Sequence, residues 1–190
     1  MSAAQDAWLA FLLPAEGLTL SVTPTDPGNW TSGIEGIGEL VGTKYGISAA
    51  VYPTTDIAAL TLAEAQALQL ADYWTPVGAD SLPPPLAFLV ADAAYMSGPR
   101  TAARQLQVMV GTAQDGAVGP VTIAALTAQI AKLGMCEVLA EWSARRVLFE
   151  AGLPIWGTDK GGWVRRVMRG LLVAKSLDVP ALAVSGGAVA

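Results

Sequence analysis

Two carboxylates stand apart in the stretch PAEGLTLSVTPTDPGNW, residues 14–30: Glu16 and Asp26, ten positions apart among apolar residues, Thr, Pro and Gly. Cleaving a glycosidic bond calls for a carboxylic acid still protonated near neutral pH, and often for a second carboxylate. Glu16 ends an apolar run and has Leu12, Leu13 and Leu18 for neighbours. A carboxyl walled in this way is desolvated, which raises its pKa and suits it to donate a proton. Asp26 lies in a Gly-containing turn, a hydrated place for a base that activates water. On spacing alone, the same two acids also read as ordinary solvated side chains of a loop.

The rest of the composition narrows the chemistry. There is no histidine, which excludes His-based triads, His–zinc sites and imidazole general bases. Acid–base work near neutral pH falls to carboxylates, Tyr, Lys or Cys. Cys136 is the single cysteine, so the chain has no internal disulfide and no thiolate metal cluster; its apolar helical context predicts a core position. The 190 residues are 53% hydrophobic and 14% charged, enough for one sizeable core or two small lobes. No apolar run reaches the ~18 residues of a membrane span, so no integral membrane segment is expected. The apolar N-terminal patch has no positive flank and carries Asp6, which argues against a signal peptide and predicts synthesis without a Sec signal.

Charge is divided along the chain. Residues 1–99 hold ten acids and one base, Lys44, whereas residues 100–190 hold ten bases and six acids. A nucleic-acid binder built on the first half is not expected. Among the bases, Arg145, Arg146, Arg165, Arg166 and Arg169 form a cluster. It reads either as a contact for anionic groups or as a solvated face paired with Glu137, Glu141 and Glu150.

The elements that must position these groups follow from periodicity. Apolar residues at 4, 7, 8, 11 and 12 predict a first helix that Pro14 ends. Residues 17–48, rich in Gly, Thr and Pro, predict turns and at most a small β-hairpin, with TDPGNW as a turn. TLAEAQALQLADYW (61–74) reads as one helix with a Thr61–Glu64 capping box. The apolar stretch 86–98 predicts a buried helix, followed by helices over 100–111, from Pro120, over 136–152, and from Trp163 onward. The chain is therefore mainly α, with an irregular N-terminal lobe. The expected division is 1–90, 91–180 and a tail over 181–190.

The order of landmarks resembles the phage-type muramidases of glycoside hydrolase family 108. The carrying motifs are EGLT (16–19), DPGN (26–29), TKYGIS (43–48), DYWTP (72–76), LP (82–83), DAAYMSGP (92–99), ARQLQ (103–107), DGAVGPVT (115–122) and GWVRR (162–166). They run collinearly from about residue 8 to 170. The resemblance implies a lysozyme-like fold and hydrolysis of the β-1,4 bond between N-acetylmuramic acid and N-acetylglucosamine in peptidoglycan, by a monomer without metal or organic cofactor. Glu16 would be the general acid. Asp26 would hold the nucleophilic water or shape its loop, and Thr43, with Thr31 as competitor, matches the motif threonine. Tyr45, Tyr73 and Trp74 would line the sugar cleft, or else pack in the core. The segment LQVMVGTAQDGAVGPVTIAAL is similar to peptidoglycan-binding helical modules. Release by a holin, or carriage on a phage-like particle, would bring such an enzyme to the wall. The chain departs from the family at Leu18 and Thr19, in place of Gly and Tyr, and at Met96, in place of Asn. Two other functions share these residues: a lytic transglycosylase using the same Glu16, and a wall-binding or phage structural module without turnover.

Overall fold

The computed structural model describes residues 1–16, 18–154 and 156–178, apart from the side chains of residues 14–16 and 158. Among the described residues, helices carry the fold and the only sheet is a two-stranded antiparallel one, as the sequence predicts. The chain divides into two compact units, Met1–Pro76 and Val77–Ala190; the sequence reading draws its division near residue 90.

The first unit opens with α1 (Ala3–Glu16), which buries Trp8, Leu9 and Leu12. The helix runs through Pro14 instead of ending there. A proline this near the C-terminus forfeits one backbone donor in the final turn only, so the break expected of an interior proline does not develop. The long segment after α1 is irregular but tied down. A 3-10 turn, Pro27–Asn29, and two isolated bridges, Ser21↔Thr43 and Trp30↔Leu40, hold it. Gly42, at φ +107°, lets the first bridge form, since a Cβ there would lie 2.5 Å from the Ser21 carbonyl oxygen. The hairpin follows as β1 (Thr43–Lys44) and β2 (Ile47–Ser48), with Thr43 opposite Ser48 and Lys44 opposite Ile47. Its two turn residues, Tyr45 (φ 54°) and Gly46 (φ 76°), both have positive φ, the condition for a two-residue type I′ turn. Behind the hairpin, Ile47, Ala49, Ile57, Leu60 and Ala65 form a small core.

Helix α2 (Leu62–Gln69) begins with the predicted capping box between Thr61 and Glu64. It does not continue to Trp74 as an α-helix. Residues Leu70–Trp74 form a π-turn, in which the Thr75 N–H donates to the Leu70 carbonyl at 2.9 Å. The wider turn shifts the register of the side chains that follow, and it leaves Trp74 buried while Tyr73 is half-buried.

The second unit is built on α3 (Pro84–Ser97), buried over most of its length and packed against α4 (Pro99–Val110), α6 (Met135–Ala151) and α7 (Trp156–Ser176). Between them, α5 (Pro120–Leu133) starts with Pro120 as its first residue, as predicted. Helix α7 contains a break at Asp159 (φ −149°), where the Asp159 carboxylate accepts the Gly162 N–H at 2.9 Å. The aspartate thus caps the stretch predicted from Trp163. Cys136 is exposed, not in the core. The buried stripe of α6 begins only at Val138 and runs on through Leu139, Trp142 and Arg146; Cys136, although three residues before Leu139, lies in the first turn, ahead of that stripe.

The arginine cluster is split by burial. Arg145 pairs with Glu141 at the surface. Arg146 is buried and bonds both Asp92 (2.5 Å) and Glu150 (3.0 Å), while Arg166 reaches Asp92 at 2.7 Å. Neither an anion-binding face nor a solvated one describes Arg146, because its partner Asp92 comes from another helix, 54 residues away. No single helix among the described residues is long and apolar enough to cross a membrane.

Candidate active site

All six residues singled out in the sequence fall in the first unit. Glu16 is the last residue of α1; its side chain lies outside the described residues. Of the leucines expected to wall it, Leu12 is buried and Leu18 is 60% exposed.

Asp26 is exposed and caps the 3-10 turn: its Oδ1 accepts the Gly28 N–H at 2.9 Å. Pro27, with its φ preset and no N–H to satisfy, suits the first position of that turn. The turn ends at Asn29, which is fully buried. The Asn29 N–H donates to the Asp26 carbonyl at 3.1 Å, and the Asn29 carbonyl accepts from Val41 (2.9 Å) and Gly42 (3.0 Å). Its side chain closes the arrangement, with the Thr43 hydroxyl donating to Oδ1 at 2.7 Å and Nδ2 donating to the Thr23 carbonyl at 3.1 Å. Asp26 and Thr43, 17 positions apart in the sequence, are thus both bonded to one asparagine, Asp26 through its backbone carbonyl and Thr43 through its hydroxyl. The competing threonine has a different partner: Thr31 Oγ1 accepts the Glu39 N–H at 3.0 Å.

The three aromatics part company. Tyr45 sits at the hairpin tip, half-buried, with the Lys44 ammonium 5.2 Å from its ring centroid. Its carbonyl accepts Gln69 Nε2 at 2.9 Å, which ties the hairpin to the end of α2. Tyr73 is half-buried in the π-turn. Trp74 is 1% exposed and packs on Trp8 with ring centroids 5.7 Å apart. Its place is the core, since a ring enclosed on both faces offers none to a sugar. Beside Tyr73, Asp72 accepts a hydrogen bond from Tyr52. Burial foremost, and then the Asp72 carboxylate, push the Tyr52 phenol well above its ordinary value, so Tyr52 stays a neutral donor.

Sequence reasoning missed Asn29 and Gln69. Asn29 was legible only as the fourth letter of the DPGN turn, and Gln69 only as one polar residue of a helix. Their signal is burial, which appears once the 14- and 24-residue separations to Thr43 and Tyr45 are closed.

Residues 9–98 match the family model described as Glycosyl hydrolase 108, a stretch that holds all six residues. The solved structure of Brucella abortus SagA is similar to this chain, with a TM-score of 0.72 and 27% sequence identity, over 94% of this chain and 97% of that one. No curated protein matches the sequence. The fold is mainly α and lysozyme-like, and the similarity to glycosyl hydrolase 108 lies in residues 9–98.

Proposed function

We propose that this protein is a peptidoglycan hydrolase, an N-acetylmuramidase that cleaves the β-1,4 bond between N-acetylmuramic acid and N-acetylglucosamine with Glu16 as general acid. The observation that carries the reading is the glycosyl hydrolase 108 match over residues 9–98, within which Glu16 closes α1 and Asp26 lies in a capped, exposed turn. In this mechanism the Glu16 carboxyl gives its proton to the glycosidic oxygen as the C–O bond breaks. A water, its proton passing to Asp26, bonds to the oxocarbenium-like carbon. The hydrated position of Asp26 favours hydrolysis over a transglycosylase, which closes an anhydro ring without water. Tyr45 and Tyr73 offer partly exposed rings to pyranose faces. The helices α4 and α5, with their DGAVGPVT connection, are assigned to wall binding in the same reading.

The test compares wild type with Glu16→Gln on purified sacculi, following turbidity and the mass of the released muropeptides. The expected result is lysis by wild type, products with a reducing end, and a loss of rate of at least ~10²-fold in the variant. Equal lysis by both proteins removes Glu16 from its role, and anhydro products assign the transglycosylase reaction. Binding to sacculi without lysis by wild type identifies a wall-binding module; the departures Leu18, Thr19 and Met96 are the sequence features that favour that outcome.

A further inference from the structure

The Asn29 amide has two chemically distinct ends, and its surroundings fix which way round it sits. Nδ2 meets the Thr23 carbonyl oxygen at 3.1 Å, an atom that only accepts hydrogen bonds. Oδ1 therefore faces Thr43 at 2.7 Å, and because Oδ1 also only accepts, the Thr43 hydroxyl must be the donor. Its single proton is thereby committed. Thr43 Oγ1 presents only lone pairs to anything else that approaches, and Thr43 is not fully buried.

We infer that Asn29 is a positioning residue, which holds the Thr43 hydroxyl as a pure acceptor for the attacking water of the hydrolase reaction. The inference rests on the hydrolase reading above. Asp26 is the other partner: Gly28 N–H occupies its Oδ1, which leaves Oδ2 for the water. A water that donates one hydrogen to Thr43 and one to Asp26 has its remaining lone pairs available for the anomeric carbon. As the new C–O bond forms, the water proton passes to Asp26, the glycosidic C–O bond breaks, and the leaving oxygen takes the Glu16 proton. A Thr43 hydroxyl released from Asn29 would turn its own proton toward the water or toward Asp26 and spoil this orientation. Asn29 touches no reacting atom and acts through Thr43.

The backbone bonds of Asn29 do not depend on its side chain, and the Thr23 carbonyl also accepts the Asp26 N–H at 3.1 Å. Asn29→Ala therefore removes the amide without orphaning Thr23. The experiment is a double-mutant cycle of Asn29→Ala and Thr43→Val on sacculi, reading kcat, KM and Tm for each protein. Asn29→Ala is expected to lower kcat roughly tenfold with KM unchanged, and to add no further loss in the Thr43→Val background. Asn29→Asp keeps an acceptor for Thr43 and, as the neutral acid that a fully buried carboxyl favours, a donor for the Thr23 carbonyl; it is expected to hold kcat within about threefold of wild type, including where Asn29→Ala does not fold. Additive losses in the cycle, an unchanged kcat in Asn29→Ala, or a tenfold loss in a folded Asn29→Asp each overturn the assignment while leaving the hydrolase reading intact. A wild type that cleaves no sacculi overturns both.

Discussion

At the scale of single residues, the candidate site separates shape from chemistry. Asp26 accepts the Gly28 N–H and so holds a turn, and in the proposed reaction it also takes a proton from water. An amide can do the first task and not the second. Asp26→Asn is expected to keep the melting temperature of wild type while losing ~10²-fold in rate on sacculi. Asp26→Ala is expected to lower both, because a 3-10 turn without its side-chain cap loses a partner for an N–H. A Tm that falls equally in the two variants would show that the carboxylate charge, not the cap, stabilises the turn. Both acids and the threonine were legible in the sequence as residue types in a collinear motif. Asn29 was not, since nothing local marks a turn residue as the partner of a threonine 14 positions on.

At the scale of elements, the loop between α1 and the hairpin is ordered by backbone geometry more than by an apolar core. The reciprocal Ser21–Thr43 bonds (2.8 and 2.9 Å) bring the loop against β1, and they require the chain to pass Gly42 closely at positive φ. Gly42→Ala adds a Cβ both strained and clashing, so a loss of about 1–3 kcal/mol is expected from urea unfolding, with activity falling in parallel as Thr43 shifts. Unchanged stability would mean that the bridge bends away at little cost. Helix positions were legible from periodicity and caps, as the Thr61–Glu64 box shows. The π-turn at Leu70–Trp74 was not, because the pattern LADYW continues a helical spacing, and only packing of Trp74 on Trp8 reveals the extra residue.

At the scale of the whole molecule, the second unit has a charged group at the centre of its helices. Burial by itself pushes the Asp92 carboxyl up, but the Arg146 and Arg166 guanidiniums together outweigh it and hold the group below the usual carboxylate range. A folded-state pKa below the unfolded one means that this pairing stabilises the protein above the unfolded value, about pH 4, and is lost as pH falls through the folded value. Asp92→Asn leaves two arginines without their shared counter-ion. It is expected to cost about 3–5 kcal/mol at neutral pH, with the gap to wild type closing at pH values below ~4. Urea denaturation across a pH series checks this, and a gap that stays constant with pH would rule out ionised Asp92 as its source. Glu150 goes the other way: burial raises its carboxyl despite the neighbouring Arg146. Its contribution is present at low pH and is lost as pH rises through the folded value. Glu150→Gln is therefore expected to match or exceed wild-type stability at neutral pH and to lose that advantage in acid.

The amino-acid sequence by itself determined what depends on neighbours a few positions apart. That includes the helical class, the capping box, Pro120 at its helix start, the turn at Asp26, and the absence of histidine chemistry. It also carried the order of motifs, from about residue 8 to 170, that resembles glycoside hydrolase family 108, whose model matches residues 9–98. The tertiary structure alone decided which groups meet across long separations. It put Trp74 in the core and Cys136 outside it, joined Arg146 to Asp92, and set Asn29 between Asp26 and Thr43. The physical reason is burial. A polar or aromatic side chain carries the same letter in solvent and in a core, and its partner is chosen only when distant segments pack and every buried donor must find an acceptor.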